Sequence, residues 1–208
     1  MSRRRIKICG ITRAEDARLA ADLGADALGL VFHPASSRAL NPDSIANVVG
    51  RLPAFVTVVG LFVDPELALV QQVLETGLVQ CLQFHGNESV DFCRSFGVPF
   101  IKAIRVRDLD QARRQLQPFQ GQCSVILDAY VKGRPGGTGE AFDWSLAKAV
   151  VSDGHNPVIL AGGLTPENVA SAIAAVSPYG VDVSTGVEQR PGIKDPDKLR
   201  RFFDAVYN

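Results

Sequence analysis

Two side chains stand where chemistry is possible. Cys9 closes the short run Ile6-Lys7-Ile8 and is followed by Gly10, and Asp128 closes the apolar run Ser124-Val125-Ile126-Leu127. A thiol and a carboxylate on opposite sides of one cavity make an acid–base pair, one group taking a proton while the other gives one. Each also has a plainer reading. Free cysteine is commonly a small buried hydrophobe, and an aspartate at a strand end can cap a loop or pair with a cation. Two glycine-bearing segments suggest an anion site: Ala161-Gly162-Gly163-Leu164, directly ahead of a helical pattern, and Ser184-Thr185-Gly186-Val187. Glycines let a ligand approach the backbone, and free N–H groups at a helix start favour phosphate. Arg38, in Ser36-Ser37-Arg38, has the fork that meets a carboxylate through two hydrogen bonds, unless it is an ordinary surface arginine. His85, ahead of Gly86, reads equally as a hydrogen-bonded loop residue or as a catalyst. The segment Gly133-Arg134-Pro135-Gly136-Gly137-Thr138-Gly139 suits a flap over the site, or an inert loop.

The elements that would position these groups alternate along the whole chain. Strand-like runs cover residues 6–9, 27–32, 55–63, 79–84, 100–104, 124–129, 158–161 and 181–183. Helical patterns follow each: Arg13 to Leu23 closed by Gly24, one from Pro42 with Asn41 as its cap, Asp64 to Gly77, and one from Glu88. The rest are Leu109 to Leu116, Trp144 to Val151, one opened by Thr165-Pro166-Glu167, and Pro196 to Val206. Strands this apolar expect cover on both faces, as in a parallel sheet. Eight consecutive units without a composition break predict an α/β protein, a single-domain (β/α)₈ TIM barrel over residues 1–208, rather than an open doubly wound sheet. Such a barrel exposes its chemistry at the C-terminal strand ends, where Cys9 and Asp128 stand, and binds phosphate in the loops after strands seven and eight.

Composition narrows the function classes. The chain has 208 residues, 46% hydrophobic and 21% charged, which suits a globular domain. Lys plus Arg equals Asp plus Glu at 22 each, giving no support for nucleic-acid or membrane binding. Arg3-Arg4-Arg5 reads as a solvated terminus, and the segment after it breaks off before a signal-peptide core forms, so a cytosolic protein is expected. The four cysteines, Cys9, Cys81, Cys93 and Cys123, lack metal-ligand or disulfide spacing, so no metal is expected and the last three read as core residues. Neither a P-loop nor a GxGxxG after the first strand is present, so no cofactor is indicated. The apolar residues of the last helix, Phe202, Phe203 and Tyr207, read as core packing more than as a partner surface, and monomer and homodimer stay open.

Taken in order, several segments resemble phosphoribosylanthranilate isomerase: Lys7-Ile8-Cys9-Gly10-Ile11-Thr12, Leu82-Gln83-Phe84-His85-Gly86, and Gly136-Gly137-Thr138-Gly139 with Phe142-Asp143-Trp144. Leu160-Ala161-Gly162-Gly163-Leu164 and Gly180-Val181-Asp182-Val183-Ser184-Thr185-Gly186-Val187-Glu188 complete the set, which spans almost the whole chain. The resemblance implies an Amadori rearrangement in tryptophan biosynthesis, acting on a small phosphorylated substrate. By position in the matching motifs, Cys9 is the general base, Asp128 the general acid, Arg38 the partner of the anthranilate carboxylate and His85 a neighbour of the substrate. Gly162, Gly163, Ser184, Thr185 and Gly186 become the phosphate cradle. Thr185 replaces a common serine but keeps a hydroxyl and an N–H, and Phe84 replaces a more usual leucine, a change for packing.

In water an aspartate titrates near about 3.9 and a cysteine near about 8.5, which favours the opposite division of labour. Raising Asp128 to neutrality corresponds to about 4 kcal/mol, and a cation near Cys9 would be needed to supply thiolate. Two other functions compete: a histidine-pathway isomerase, which needs a second phosphate cradle in the first half of the chain, and a non-catalytic barrel that only binds a phosphorylated ligand.

Overall fold

The computed structural model describes residues 3–128 and 144–207. The Gly133–Gly139 segment, with its expected flap, lies outside the described residues. Eight strands, β1 (Arg5–Cys9), β2 (Ala27–Val31), β3 (Thr57–Phe62), β4 (Cys81–Phe84), β5 (Phe100–Arg105), β6 (Ser124–Asp128), β7 (Val158–Ala161) and β8 (Gly180–Val183), run parallel. They close in sequence order, β8 pairing with β1 through Ile6 against Val181 and Ile8 against Val183. The helices between them are α1 (Ala14–Asp22), α2 (Ile45–Val49), α3 (Leu67–Glu75), α4 (Val90–Arg94), α5 (Leu109–Leu116), α6 (Trp144–Asp153), α7 (Val169–Val176) and α8 (Pro196–Tyr207).

The two-residue period of each strand sorts its side chains to opposite faces. Ile6, Ile8, Leu28, Leu30, Leu82, Val125, Leu127, Leu160 and Val181 pack outward against helix residues such as Ala17, Val70, Ala112, Ala172 and Phe202. The alternate positions Val59, Cys81, Ile101, Ala103, Ile126, Ile159 and Ala161 form a separate core inside the barrel. Above it Cys9, Val31 and Leu61 pack together. Phe84 joins the outer core, where its ring meets Phe62, Phe92, Phe96 and Phe100. Phe202 and Phe203 are buried, whereas Tyr207 is half exposed, with Arg3 over its ring and its hydroxyl donating to the Gly24 carbonyl at 3.1 Å. Cys81 and Cys93 are buried and Cys123 is partly so. Among the described residues no helix is long and apolar enough to cross a membrane.

Local chemistry sets the element ends. Asn41, Ser89 and Asp108 each accept a backbone N–H two or three residues on, at 3.1, 3.2 and 2.7 Å. Strand β3 starts at Thr57, two residues later than its apolar run suggests, because Pro53 to Phe55 turn outward and leave the Phe55 ring 98% exposed. Helix α7 starts at Val169 instead of at the expected Thr165. Asn168 holds an intervening turn, accepting from the Thr165 N–H at 2.8 Å and donating to the Gly163 carbonyl at 3.0 Å. Between β8 and α8 lies an antiparallel hairpin that the apolar pattern does not anticipate, β9 (Glu188–Arg190) and β10 (Ile193–Lys194). Its turn uses Gly192 at φ +79°.

Candidate active site

Cys9 and Lys7 occupy successive inward positions of β1, and Cys9 is 6% exposed at the mouth. Their neighbour across the ladder is Gly29, paired with Cys9. A Cβ at Gly29 would stand 2.8 Å from the Cys9 sulfur and 3.1 Å from the Lys7 nitrogen, so thiol and ammonium share the space above that glycine. Lys7 Nζ also donates to Asp182 Oδ1 of β8 at 2.8 Å, with both side chains buried. Burial alone would lower the Lys7 ammonium, but Asp182 and Cys9 outweigh it and hold Lys7 above its usual range. Burial pushes the Cys9 thiol up. Lys7 and Lys194 pull against that rise and Asp182 adds to it, leaving the thiol raised.

The hairpin after β8 supplies the second half of this charge cluster. Lys194, fully buried, donates to the carbonyls of Cys9 at 2.6 Å and Ser184 at 3.2 Å and to Glu188 Oε1 at 3.0 Å. Glu188 in turn accepts from Arg38 through Nε at 2.8 Å and Nη2 at 2.5 Å, a fork-to-carboxylate pair. Burial would raise the Glu188 carboxyl, yet Arg38 and Lys194 hold it below the usual carboxylate range. Lys194 is lowered, chiefly by its own burial. The hydrogen bonds to Glu188 raise Arg38. The Arg38 chain crosses directly over Gly10, where any Cβ would collide with Arg38 Cδ. Arg38 therefore lies beside Cys9 with its guanidinium already oriented by Glu188.

On the other side of the mouth, Asp128 ends β6 in an inward position. His85 Nε2 stands 3.3 Å from Asp128 Oδ2. The loop carrying His85 is pinned from below. Lys102, outward on β5 and buried, donates to the carbonyls of Phe84 at 3.4 Å and Gly86 at 2.7 Å and to Glu88 Oε2 at 2.8 Å. Glu88 closes the clamp by accepting from the N–H groups of Asp64 at 2.8 Å and Gly86 at 3.0 Å. A histidine held from both flanks keeps its ring against Asp128 with little entropy left to lose.

The glycine loops after β7 and β8 lie side by side. Gly162 and Gly163 adopt φ of +82° and +67°. The second loop continues into a single 3-10 turn over Thr185–Val187, whose first N–H groups have no carbonyl behind them to bond. The loops touch so closely that a Cβ on Gly186 would overlap the Leu164 carbonyl oxygen. Gly186 is thus required by loop packing whatever ligand is held. Gly163 and Thr185 are exposed at the mouth.

Sequence reasoning locates Cys9, Asp128, Arg38, His85 and both loops but leaves Lys7, Asp182, Glu188 and Lys194 without a role. Lys7 and Asp182 carry a legible signal: charged residues inside strands that a parallel barrel requires to be apolar. Glu188 and Lys194 lie in a polar stretch that reads as ordinary surface.

These features have counterparts in known proteins. The family described as N-(5'phosphoribosyl)anthranilate (PRA) isomerase matches residues 6–205. An N-(5'-phosphoribosyl)anthranilate isomerase of Pseudomonas fluorescens is 50% identical over 208 residues, covering 100% of this chain and 98% of the relative. The crystal structure of phosphoribosyl anthranilate isomerase from Thermotoga maritima superposes with a TM-score of 0.90 at 39% identity, covering 98% of each chain. A structure of the isomerase in complex with reduced 1-(o-carboxyphenylamino)-1-deoxyribulose 5-phosphate superposes at 0.86 and 38% identity, again over 98% of each chain. By sequence over its full barrel and by fold, the chain belongs to the N-(5'-phosphoribosyl)anthranilate isomerase family.

Proposed function

We propose that this chain acts as one catalytic domain over residues 1–208, working in the cytosol. It converts N-(5-phosphoribosyl)anthranilate to 1-(2-carboxyphenylamino)-1-deoxyribulose 5-phosphate in tryptophan biosynthesis, with Asp128 as general acid and Cys9 as general base. The observation that carries this assignment is the strand order of the closed ring. Going from β6 through β7 and β8 to β1 and β2, the mouth presents Asp128, the two glycine loops, Cys9 and then Arg38 in succession. A sugar anchored by its phosphate on the central loops has the acid on one side and the base on the other. Arg38 beside Cys9 meets the carboxylate of the aryl ring.

The chemistry then opens with two proton transfers, and the final tautomerisation adds two more. Asp128 gives its proton to the ring oxygen as the C1–O bond breaks, and the amine nitrogen becomes an iminium. The Cys9 thiolate takes the proton from the sugar C2, and the electron pair moves to neutralise the iminium. The resulting enolamine gains a proton at C1 and loses one from the C2 hydroxyl, which restores both catalytic groups. Each positioned acid or base contributes roughly 10²–10⁴-fold. His85 keeps the Asp128 carboxyl aimed at the mouth, and the loop N–H groups hold the phosphate without any change in charge.

Cys9→Ala and Asp128→Asn test the assignment. Turnover of freshly generated phosphoribosylanthranilate, followed by loss of its fluorescence, is expected to fall by about 10²-fold or more in each. Binding of a reduced product analogue should be retained. A near-normal rate in either variant overturns the assignment of that residue.

A further inference from the structure

The family's acid–base chemistry needs a thiolate at Cys9, and the barrel interior holds groups that no proton transfer uses. The buried pair Lys7–Asp182 is the foremost of these. Two opposite charges taken out of water rarely stabilise a fold more than an apolar pair of the same size would. Their place is therefore informative: one residue pair below the mouth, against the Cys9 sulfur. Charged groups act on that sulfur from several elements, and Lys7 also faces the Cys81 thiol of β4. Lys7 is on β1 itself, Asp182 on β8, Lys194 on β10 and Arg38 on the loop after β2, with Asp128 across the mouth.

We infer that Lys7 is a positioning residue that sustains the Cys9 thiolate, and that Asp182 sets how strongly it does so. This rests on the proposed role of Cys9 as base. Lys7 and the sulfur both lie within about one contact distance of the space over Gly29. An ammonium at that range favours the charged form of the thiol. Asp182 binds the same ammonium at 2.8 Å and brings its own negative charge to the site. Asp182 thereby prevents Lys7 from stabilising thiolate to the full, and it holds the lysine on the inward face where Cys9 can use it. The pair works as a source with a limiter. Lys194 also favours thiolate, but less than Lys7, and its Nζ grips the Cys9 carbonyl and Glu188 and so holds geometry as well. The directions of the Cys9 contributions agree: Lys7 lowers and Asp182 raises.

This arrangement makes the two partners of one ion pair act in opposite senses, which a purely structural role does not do. The measurement is the pH dependence of Cys9 alkylation by iodoacetamide in the intact protein, with Cys9→Ser as the blank for the other three thiols. Lys7→Met is expected to move the midpoint up by about one unit or more, and Asp182→Asn to move it down. Below the midpoint, each unit changes the thiolate fraction about tenfold. Lys7→Arg should restore most of the shift. Where Lys7→Met fails to fold, the downward shift in Asp182→Asn carries the test alone, and the double variant Lys7→Met/Asp182→Asn, which leaves no unpaired charge, should fall between the singles. Midpoints that do not move, or that move in the same direction in both single variants, overturn the inference. The pH profile of kcat/KM is recorded in parallel. Midpoints that shift as expected while the rate profile stays fixed uphold the tuning and overturn Cys9 as base.

Discussion

Replacing Glu188 by glutamine should expose how the Cys9 side of the mouth is held. Glu188 is a buried carboxylate between two cations. It accepts from Arg38 at 2.8 and 2.5 Å and from Lys194, itself fully buried, at 3.0 Å. Glutamine keeps the size and one acceptor but removes the charge, so Lys194 and Arg38 are left close together without a counter-ion. Breaking a buried pair from one side typically costs about 3–5 kcal/mol. The lower end applies, because Arg38 can swing toward solvent. At roughly 2–4 °C per kcal/mol for a chain of this size, a melting temperature about 6–12 °C below wild type is expected at pH 7. The pH dependence sharpens the test. The folded Glu188 carboxyl lies below its ordinary value, so in the acid range the unfolded chain binds more protons than the folded one. Its stabilisation is complete above about pH 4.3 and is lost as pH falls through the folded value. Glutamine does not titrate, so the gap between the two proteins should narrow from pH 5 to pH 3. Scanning calorimetry across that range measures both quantities. A loss below about 2 °C at pH 7, or a gap that stays constant with pH, would refute the charge argument.

Two further outcomes are expected. Because burial raises the Cys9 thiol above its ordinary value, kcat/KM should climb with pH through neutrality on the limb that belongs to Cys9. A profile flat from pH 6 to 9 would contradict a thiolate base. Gly186→Ala must force the Leu164 carbonyl and the loop after β8 apart, at a cost of about 1–3 kcal/mol. It should weaken inhibition by inorganic phosphate several-fold, and unchanged inhibition would remove the loop pair from the anion site.

The parts of this architecture that were legible in sequence are those with a local cause. Apolar runs of strand length bounded by capped helices gave the barrel order; Asp128 stood out as a charge ending such a run, whereas Cys9, which also packs with Val31 and Leu61, was singled out by its strand-end position. Gly162, Gly163 and Gly186 were visible as glycines, but only the structure separates their causes. The first two have positive φ and border the mouth, while Gly186 is fixed by contact with Leu164. Glu188 and Lys194 were not legible, since their burial depends on a hairpin whose strands of three and two residues carry no periodicity. The late start of α7 is of the same kind. Thr165-Pro166-Glu167 is a sound helix opening, overruled by the Asn168 side chain that ties the turn to Gly163.

That hairpin also orders events during synthesis. Arg38 meets Glu188 across 150 residues of chain, and the Cys9 carbonyl meets Lys194 across 185. Thr12 and Asp16, at the start of the first helical unit, are bonded to Gly192 and the Lys194 N–H in the same way. A nascent chain that has made six or seven units can align most of its strands, but its cysteine still lacks the lysine, glutamate and aspartate that surround it at completion. These contacts close loops nearly as long as the chain, so they carry a high loop-closure entropy and are expected to form late. The Cys9 thiol thus acquires its environment only when roughly the final eighth of the chain folds back over the first strand and helix, so closing the ring and completing the surroundings of Cys9 are one event.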